Sequence, residues 1–243
     1  MKRADGRAWN ELRPVKITPG FHSFAEGSAL IEMGKTRVLC SVSVEERVPP
    51  FLKGGGGGWV TAEYSMLPRA TVTRTPRDSS RGHVAGRSQE IQRLIGRSLR
   101  AAADMTALGP RTLIIDCDVL QADGGTRTAA ITGAYVALYQ AMNTLANMGI
   151  ISSIPMKSAV AATSAGLVRN DYLLDLCYDE DFNAEVDFNV VMTSQGNFVE
   201  VQGTAEGKPY TKETIDHLLA LAEKGIKELF QVQQAAIEVI KKR

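Results

Sequence analysis

The chain has 243 residues, 44% hydrophobic and 23% charged, with 28 Lys plus Arg against 27 Asp plus Glu. These are the proportions of an ordinary soluble globular protein long enough to bury a real core. No stretch approaches the ~18 uninterrupted apolar residues of a membrane span, no apolar run follows Met1-Lys2-Arg3-Ala4-Asp5-Gly6 as in a signal peptide, and Cys40, Cys117 and Cys177 are too scattered for a disulfide framework.

Reduced thiols and a cytoplasmic setting are therefore expected. In chain order, residues 13–45 read as strands. Val15, Ile17, Phe21, Ala25, Ala29, Ile31, Val38 and Cys40 to Val44 are separated by turn signals at Pro19-Gly20, Glu26-Gly27 and Gly34. Pro49 to Arg87 has little periodicity apart from a strand-like piece, Trp59 to Met66. Its Gly54 to Gly58 run reads as a flexible loop.

From Gly86 the period becomes helical. Ile91, Leu94, Ile95, Leu99 and Ala102 keep one face, and Glu90, Arg93, Arg97 and Arg100 another. A strand from Thr112 to Leu120 leads through Gln121-Ala122-Asp123-Gly124-Gly125 into a second helix, with Ile131, Ala134, Tyr135, Leu138, Met142 and Leu145 on one side. Pro155 to Leu167 and Tyr172 to Cys177 read as strands. A hairpin follows, then a long amphipathic helix from Thr211 to Lys242. Strands, helix, strand, helix, strands, helix is an α+β order, and it fits two similar halves sharing one core over residues 1–243.

The net charge of +1 conceals segregation. Arg69, Arg74, Arg77, Arg81, Arg87, Arg93, Arg97 and Arg100 fall in one stretch against only Asp78 and Glu90, while the acidic residues concentrate after residue 170. Arginine's planar fork suits phosphate, the dominant ligand on nucleic acid.

Asp123-Gly124-Gly125-Thr126-Arg127-Thr128, between a strand and a helix, is the strongest local signal. Glycines let the backbone approach a ligand, the helix start offers unpaired N–H groups, and Arg127 adds a cation. The run also fits a tight turn with a threonine cap. Gly86-Arg87-Ser88 opens another helix, so two arginine-bearing helix starts can converge on one phosphate. Glu180, Asp181, Glu185 and Asp187 precede the hairpin. If its turn is Gln195-Gly196, Met192 opposes Val199, Val190 opposes Val201 and Phe188 opposes Gly203. Asp187, Asn189, Glu200, Gln202 and Thr204 then share a polar face. That face suits a solvated surface or a cleft floor with Mg²⁺, which needs one or two carboxylates. Asp116 and Asp118 read as strand-end residues. His22, His83 and His217 stand apart, without ligand spacing for zinc.

The run from Gly86 to Arg100 resembles the ribonuclease PH family. So do Trp59 to Pro68, Gln121 to Thr132, Ala184 to Asp187, Val199 to Glu206 and the opening Arg3-Ala4-Asp5-Gly6-Arg7, together spanning nearly the whole chain. The resemblance implies two β-α-β-α halves like the second domain of ribosomal protein S5, assembled as a homohexamer, a trimer of dimers. It implies phosphorolysis, with inorganic phosphate as co-substrate, of precursor tRNA and other RNA 3′ ends, releasing nucleoside diphosphates, and the reverse nucleotidyl transfer. A ring subunit of an exosome-like complex is the alternative. The family's phosphate ligands fall on Arg87, Gly125, Thr126 and Arg127, and its catalytic and metal-linked (Mg²⁺) acids on Asp181 and Asp187. The arginines linked to tRNA binding fall on Arg69, Arg74 and Arg77.

Overall fold

A computed structural model describes residues 3–77, 80, 82, 84–206 and 209–242. Arg81 and Asp78 of the arginine-rich stretch, and His83, lie outside the described residues. The first sheet contains β1 (Val15–Pro19), β2 (Gly27–Met33), β3 (Thr36–Glu45), β4 (Trp59–Met66) and β5 (Thr112–Gln121), in the order β1-β2-β3-β5-β4. All neighbours are antiparallel except β4 and β5, which run parallel. A parallel pair needs a crossover, and α1 (Gly86–Ala102) with the one-turn α2 (Met105–Leu108) lies on it.

The second sheet is antiparallel, β7-β6-β8-β9, from β6 (Val160–Val168), β7 (Asp171–Leu174), β8 (Val186–Thr193) and β9 (Phe198–Ala205). Its connections hold a short α4 (Tyr178–Phe182), and α5 (Lys212–Lys241) closes the chain.

The helices fill the space between the sheets. α3 (Thr126–Asn147) packs on β2, β3 and β5 from one side and on β6 and β8 from the other, with α1 and α5 beside it. Its burial is the main departure from the pattern in the sequence. Thr128 to Leu138 is buried without interruption instead of along one stripe. A helix that is apolar all round belongs in an interior, and Ala129, Ala130, Gly133, Ala134 and Ala137 supply that here. The small residues also set the approach. A β-carbon on Gly27 would lie 2.2 Å from the Ala137 carbonyl oxygen, so β2 and α3 can touch only if residue 27 is glycine.

The Gly54 to Gly58 run is partly built in. Gly58 donates to the Met105 carbonyl at 2.7 Å, and a β-carbon there would lie 2.5 Å from the Gly109 oxygen. Among the described residues, no helix is long and apolar enough to cross a membrane.

Candidate active site

The site grows from the turn between β5 and α3. Gly124 and Gly125 have φ of 76° and 64°, which glycine adopts without penalty. A β-carbon on Gly124 would lie 2.5 Å from the Leu176 oxygen. The turn is held from behind: Thr36 Oγ1 donates to the Gly124 carbonyl at 2.7 Å and accepts from the Asp123 amide at 2.9 Å, while Arg13 donates to the carbonyls of Asp123 and Gly124. No side chain caps α3, so its first-turn amides face the ligand side with the positive end of the helix dipole.

The two threonines part company here. Thr128 turns inward and donates to the Gly125 carbonyl at 2.9 Å, whereas Thr126 Oγ1 accepts from the Tyr64 hydroxyl at 2.8 Å and keeps its own proton to donate. Burial pushes Tyr64 above its ordinary pKa, opposed by the Thr126 bond and the charges of Arg87 and Arg127. The starts of α1 and α3 thus each carry an arginine whose charge reaches the Tyr64 hydroxyl. Tyr64 carried no assigned role in the sequence; as one more aromatic residue in an alternating strand, it gave no separate signal.

α4 brings the first carboxylate. The Tyr178 amide lies 3.4 Å from Asp123 Oδ1, which seats the helix on the glycine turn. Glu180, grouped with the other acids by sequence, points away into a buried pair with Arg3, at 2.8 Å from Nε and 2.7 Å from Nη2. Asp181 faces the cradle. Loss of hydration raises its pKa against the pull of Arg87, Arg127 and Arg13. Asp187, half-buried on β8, is raised by loss of hydration and then by the charge of Asp181, with Arg127 opposing. Glu185 is exposed and accepts from the Asn170 amide.

The N-terminal segment ties these parts together. Arg13 grips Asp175 at 2.6 and 2.9 Å, Arg7 Nη1 lies 3.5 Å from the same carboxylate, and Arg3 donates to the Asp175 carbonyl at 3.0 Å. Asp175 holds this post at φ 52°, an unfavourable backbone for a residue with a side chain.

The hairpin has the expected polar face but not quite the expected register. Val190 opposes Val201 and Phe188 opposes Gly203, while a bulge after Val191 pairs Met192 with Phe198 in place of Val199. The polar face is a cleft wall. Gln202 Oε1 accepts from Arg127 Nη1 at 2.5 Å, Gln202 Nε2 donates to Glu90 at 2.7 Å, and Glu200 pairs with Arg97 at 2.7 Å. Arg100 leaves the basic face, lying 4.2 Å over the Trp59 ring and donating to the Val60 carbonyl.

Arg69, Arg74 and Arg77 are exposed on the loop after β4 and do not join the cradle. Asp116 and Asp118 are mid-strand residues, not strand-end ones, on the face of the first sheet away from the helices. Loss of hydration raises Asp118, with Arg77 and then His22 opposing. Among the described residues, no three His, Cys, Asp or Glu gather as a metal cage. Mg²⁺ needs only one or two carboxylates, with water and phosphate oxygens completing its shell, and Asp181 with Asp187 fits that demand.

Sequence models of the 3′ exoribonuclease family match residues 11–142 (domain 1) and 158–225 (domain 2). The chain is 64% identical to a protein named ribonuclease PH from Dehalococcoides mccartyi over 96% of this chain and 97% of that one. It is 57% identical to a protein of the same name from Syntrophomonas wolfei, over 98% and 100%. Among solved structures, a chain of the Archaeoglobus fulgidus exosome with RNA bound to the active site superposes with a TM-score of 0.80 at 25% identity, covering 95% of this chain and 92% of that one. Rice Rrp46 superposes with a TM-score of 0.77 at 19% identity, covering 96% and 98%.

Proposed function

The chain belongs to the 3′ exoribonuclease family, and from that premise we propose that it is a phosphate-dependent 3′-to-5′ exoribonuclease that trims precursor tRNA and other RNA 3′ ends. The observation that carries this reading is the Tyr64 hydroxyl seated on the start of α3, 2.8 Å from Thr126 Oγ1 and within electrostatic reach of both Arg87 and Arg127. Phosphorolysis, unlike hydrolysis, must bind a free phosphate as the attacking group, and such a pair of cations suits it. Identities of 57–64% to proteins named ribonuclease PH, against 22–25% to exosome chains, favour a self-sufficient enzyme over a subunit of a mixed ring.

Phosphoryl transfer depends on positioning and charge neutralisation more than on covalent help. Arg87, Arg127, the Thr126 hydroxyl and the α3 amides hold inorganic phosphate in line with the last phosphodiester. An oxygen of that phosphate bonds to the phosphorus of the terminal nucleotide as the bond to the 3′ oxygen of the preceding nucleotide breaks. The products are a nucleoside diphosphate and an RNA one residue shorter. Mg²⁺ held by Asp181 and Asp187 would neutralise charge building on the phosphoryl oxygens. In the alternative arrangement Asp181 alone would hold Mg²⁺, and Asp187, raised by loss of hydration and then by the charge of Asp181, would keep a proton to deliver to the leaving 3′ oxygen.

Arg69, Arg74 and Arg77 extend the basic surface toward the body of the tRNA, and the working assembly is a cytoplasmic homohexamer. The test is incubation with a tRNA carrying extra 3′ residues, with and without phosphate. Nucleoside diphosphates should appear only with phosphate; nucleoside monophosphates formed equally well without it would overturn the reading.

A further inference from the structure

We propose that Tyr178 and Phe182 form a stacking platform for one nucleobase of the RNA strand close to the bond being broken. This deepens the exoribonuclease reading and rests on it for the identity of the strand. Tyr178, Asp181 and Phe182 are spaced i, i+3 and i+4 on α4, and residues so spaced share a helix face. That face lies beside the site: the Tyr178 amide is 3.4 Å from Asp123 Oδ1 and would be 2.9 Å from a β-carbon on Gly124, and Asp181 is within electrostatic reach of Arg87, Arg127 and Arg13. Glu180 anchors the other side of the helix in its buried pair with Arg3.

The two rings stack on each other, with centroids 6.1 Å apart and planes 27° apart, yet Phe182 is 76% exposed and Tyr178 58% exposed. Large apolar rings left open beside a cationic cradle have the two elements of a single-strand binding surface. Arginines take the phosphates, and an aromatic face takes a base regardless of its identity. The charge selects the occupant. A polyanion with flat apolar groups complements both the arginines and the rings, and a phosphodiester strand presents both within one repeat. Since α4 begins on the glycine turn and carries Asp181, the stacked base belongs to one of the last few nucleotides.

The experiment measures equilibrium affinity of the full chain, without phosphate, for a short single-stranded RNA and for the same RNA made abasic at each of its last few positions in turn. Phe182→Ala should weaken binding of the intact RNA roughly 5- to 150-fold. Phe182→Trp should keep the affinity, and its indole emission should change on binding. At one position the abasic RNA should bind wild type and Phe182→Ala equally weakly, since the stack is already absent. The Michaelis constant for phosphate should not move. Unchanged affinity in Phe182→Ala, losses that simply add at every abasic position, or an assembly that falls apart on substitution would each overturn the platform; the last would assign the rings to a neighbouring copy. Because binding needs no turnover, a failure of phosphate dependence in wild type would be seen separately.

Discussion

Arg127 meets the phosphate cradle with its fork already engaged: Nη1 donates to Gln202 Oε1 at 2.5 Å, and Gln202 Nε2 donates onward to Glu90 Oε1 at 2.7 Å. These linked hydrogen bonds join α3, β9 and α1, so the guanidinium is oriented before phosphate arrives. Orientation fixed in advance lowers the entropy cost of binding.

Gln202→Ala should therefore raise the Michaelis constant for phosphate by about 2- to 10-fold, the size of one ordinary hydrogen bond. Arg127→Ala should raise it about 10- to 100-fold, as loss of a charge-assisted bond does. Steady-state kinetics with phosphate varied at saturating RNA checks both. A Gln202→Ala enzyme that matches wild type would show that the tether does not orient the arginine.

Asp187→Asn should nearly abolish turnover and raise the melting temperature at pH 7. A carboxyl whose pKa is raised in the native state holds its proton more tightly there than in the unfolded chain. Stability then falls as pH rises from the ordinary carboxylate pKa to the raised one, and the deficit persists above it. The neutral amide removes that deficit. The melting temperature of Asp187→Asn relative to wild type should accordingly rise across this acidic window. Calorimetry over a pH series, in phosphate-free buffer, reads the difference.

Arg13→Met should destabilise by about 3–5 kcal/mol, because it leaves the Asp175 carboxylate buried with the backbone amide of residue 13 and, as the one guanidinium still near it among the described residues, Arg7 Nη1 at 3.5 Å. The same change frees the Asp123 carbonyl and leaves the Gly124 carbonyl to Thr36 alone, so efficiency with phosphate should fall in the fraction that stays folded. Denaturant titration beside phosphate kinetics separates the effects. Loss of stability with unchanged phosphate kinetics would confine Arg13 to a structural role.

Replacing Arg69, Arg74 and Arg77 together with serine should weaken tRNA binding and reduce the log–log salt slope by roughly 0.7–0.9 for each RNA phosphate that is no longer neutralised. Arg77, whose charge reaches Asp118 on the outer sheet face, should contribute least. Affinity at two salt concentrations, with light scattering to follow the assembly, tests this. An intact assembly with unchanged affinity and slope would remove the loop from RNA recognition.

The sequence was most informative where local periodicity and burial agree. β4 and the apolar face of α1 follow their patterns closely. It misled where a side chain's direction depends on distant chain. Glu180 and Asp181 are adjacent, and only the fold decides that Arg3 claims one while the cradle claims the other. Thr126 and Thr128 stand two residues apart in one run, yet the Thr128 hydroxyl closes back on Gly125 while Thr126 meets Tyr64. The bulge after Val191 left no mark in the alternation, since Val191, Met192 and Val199 are all apolar.

The position of α3 has a consequence for synthesis. When the ribosome has delivered β1 through α3, the first sheet can cover one side of that helix, but the strands that cover its other side, β6 and β8, come later in the chain. A nascent chain paused between residues 147 and 160 would expose a long alanine-rich apolar surface, the kind of surface that holdase chaperones bind. The helix that ends by presenting its first turn to phosphate thus stays half-covered until the second sheet has been translated.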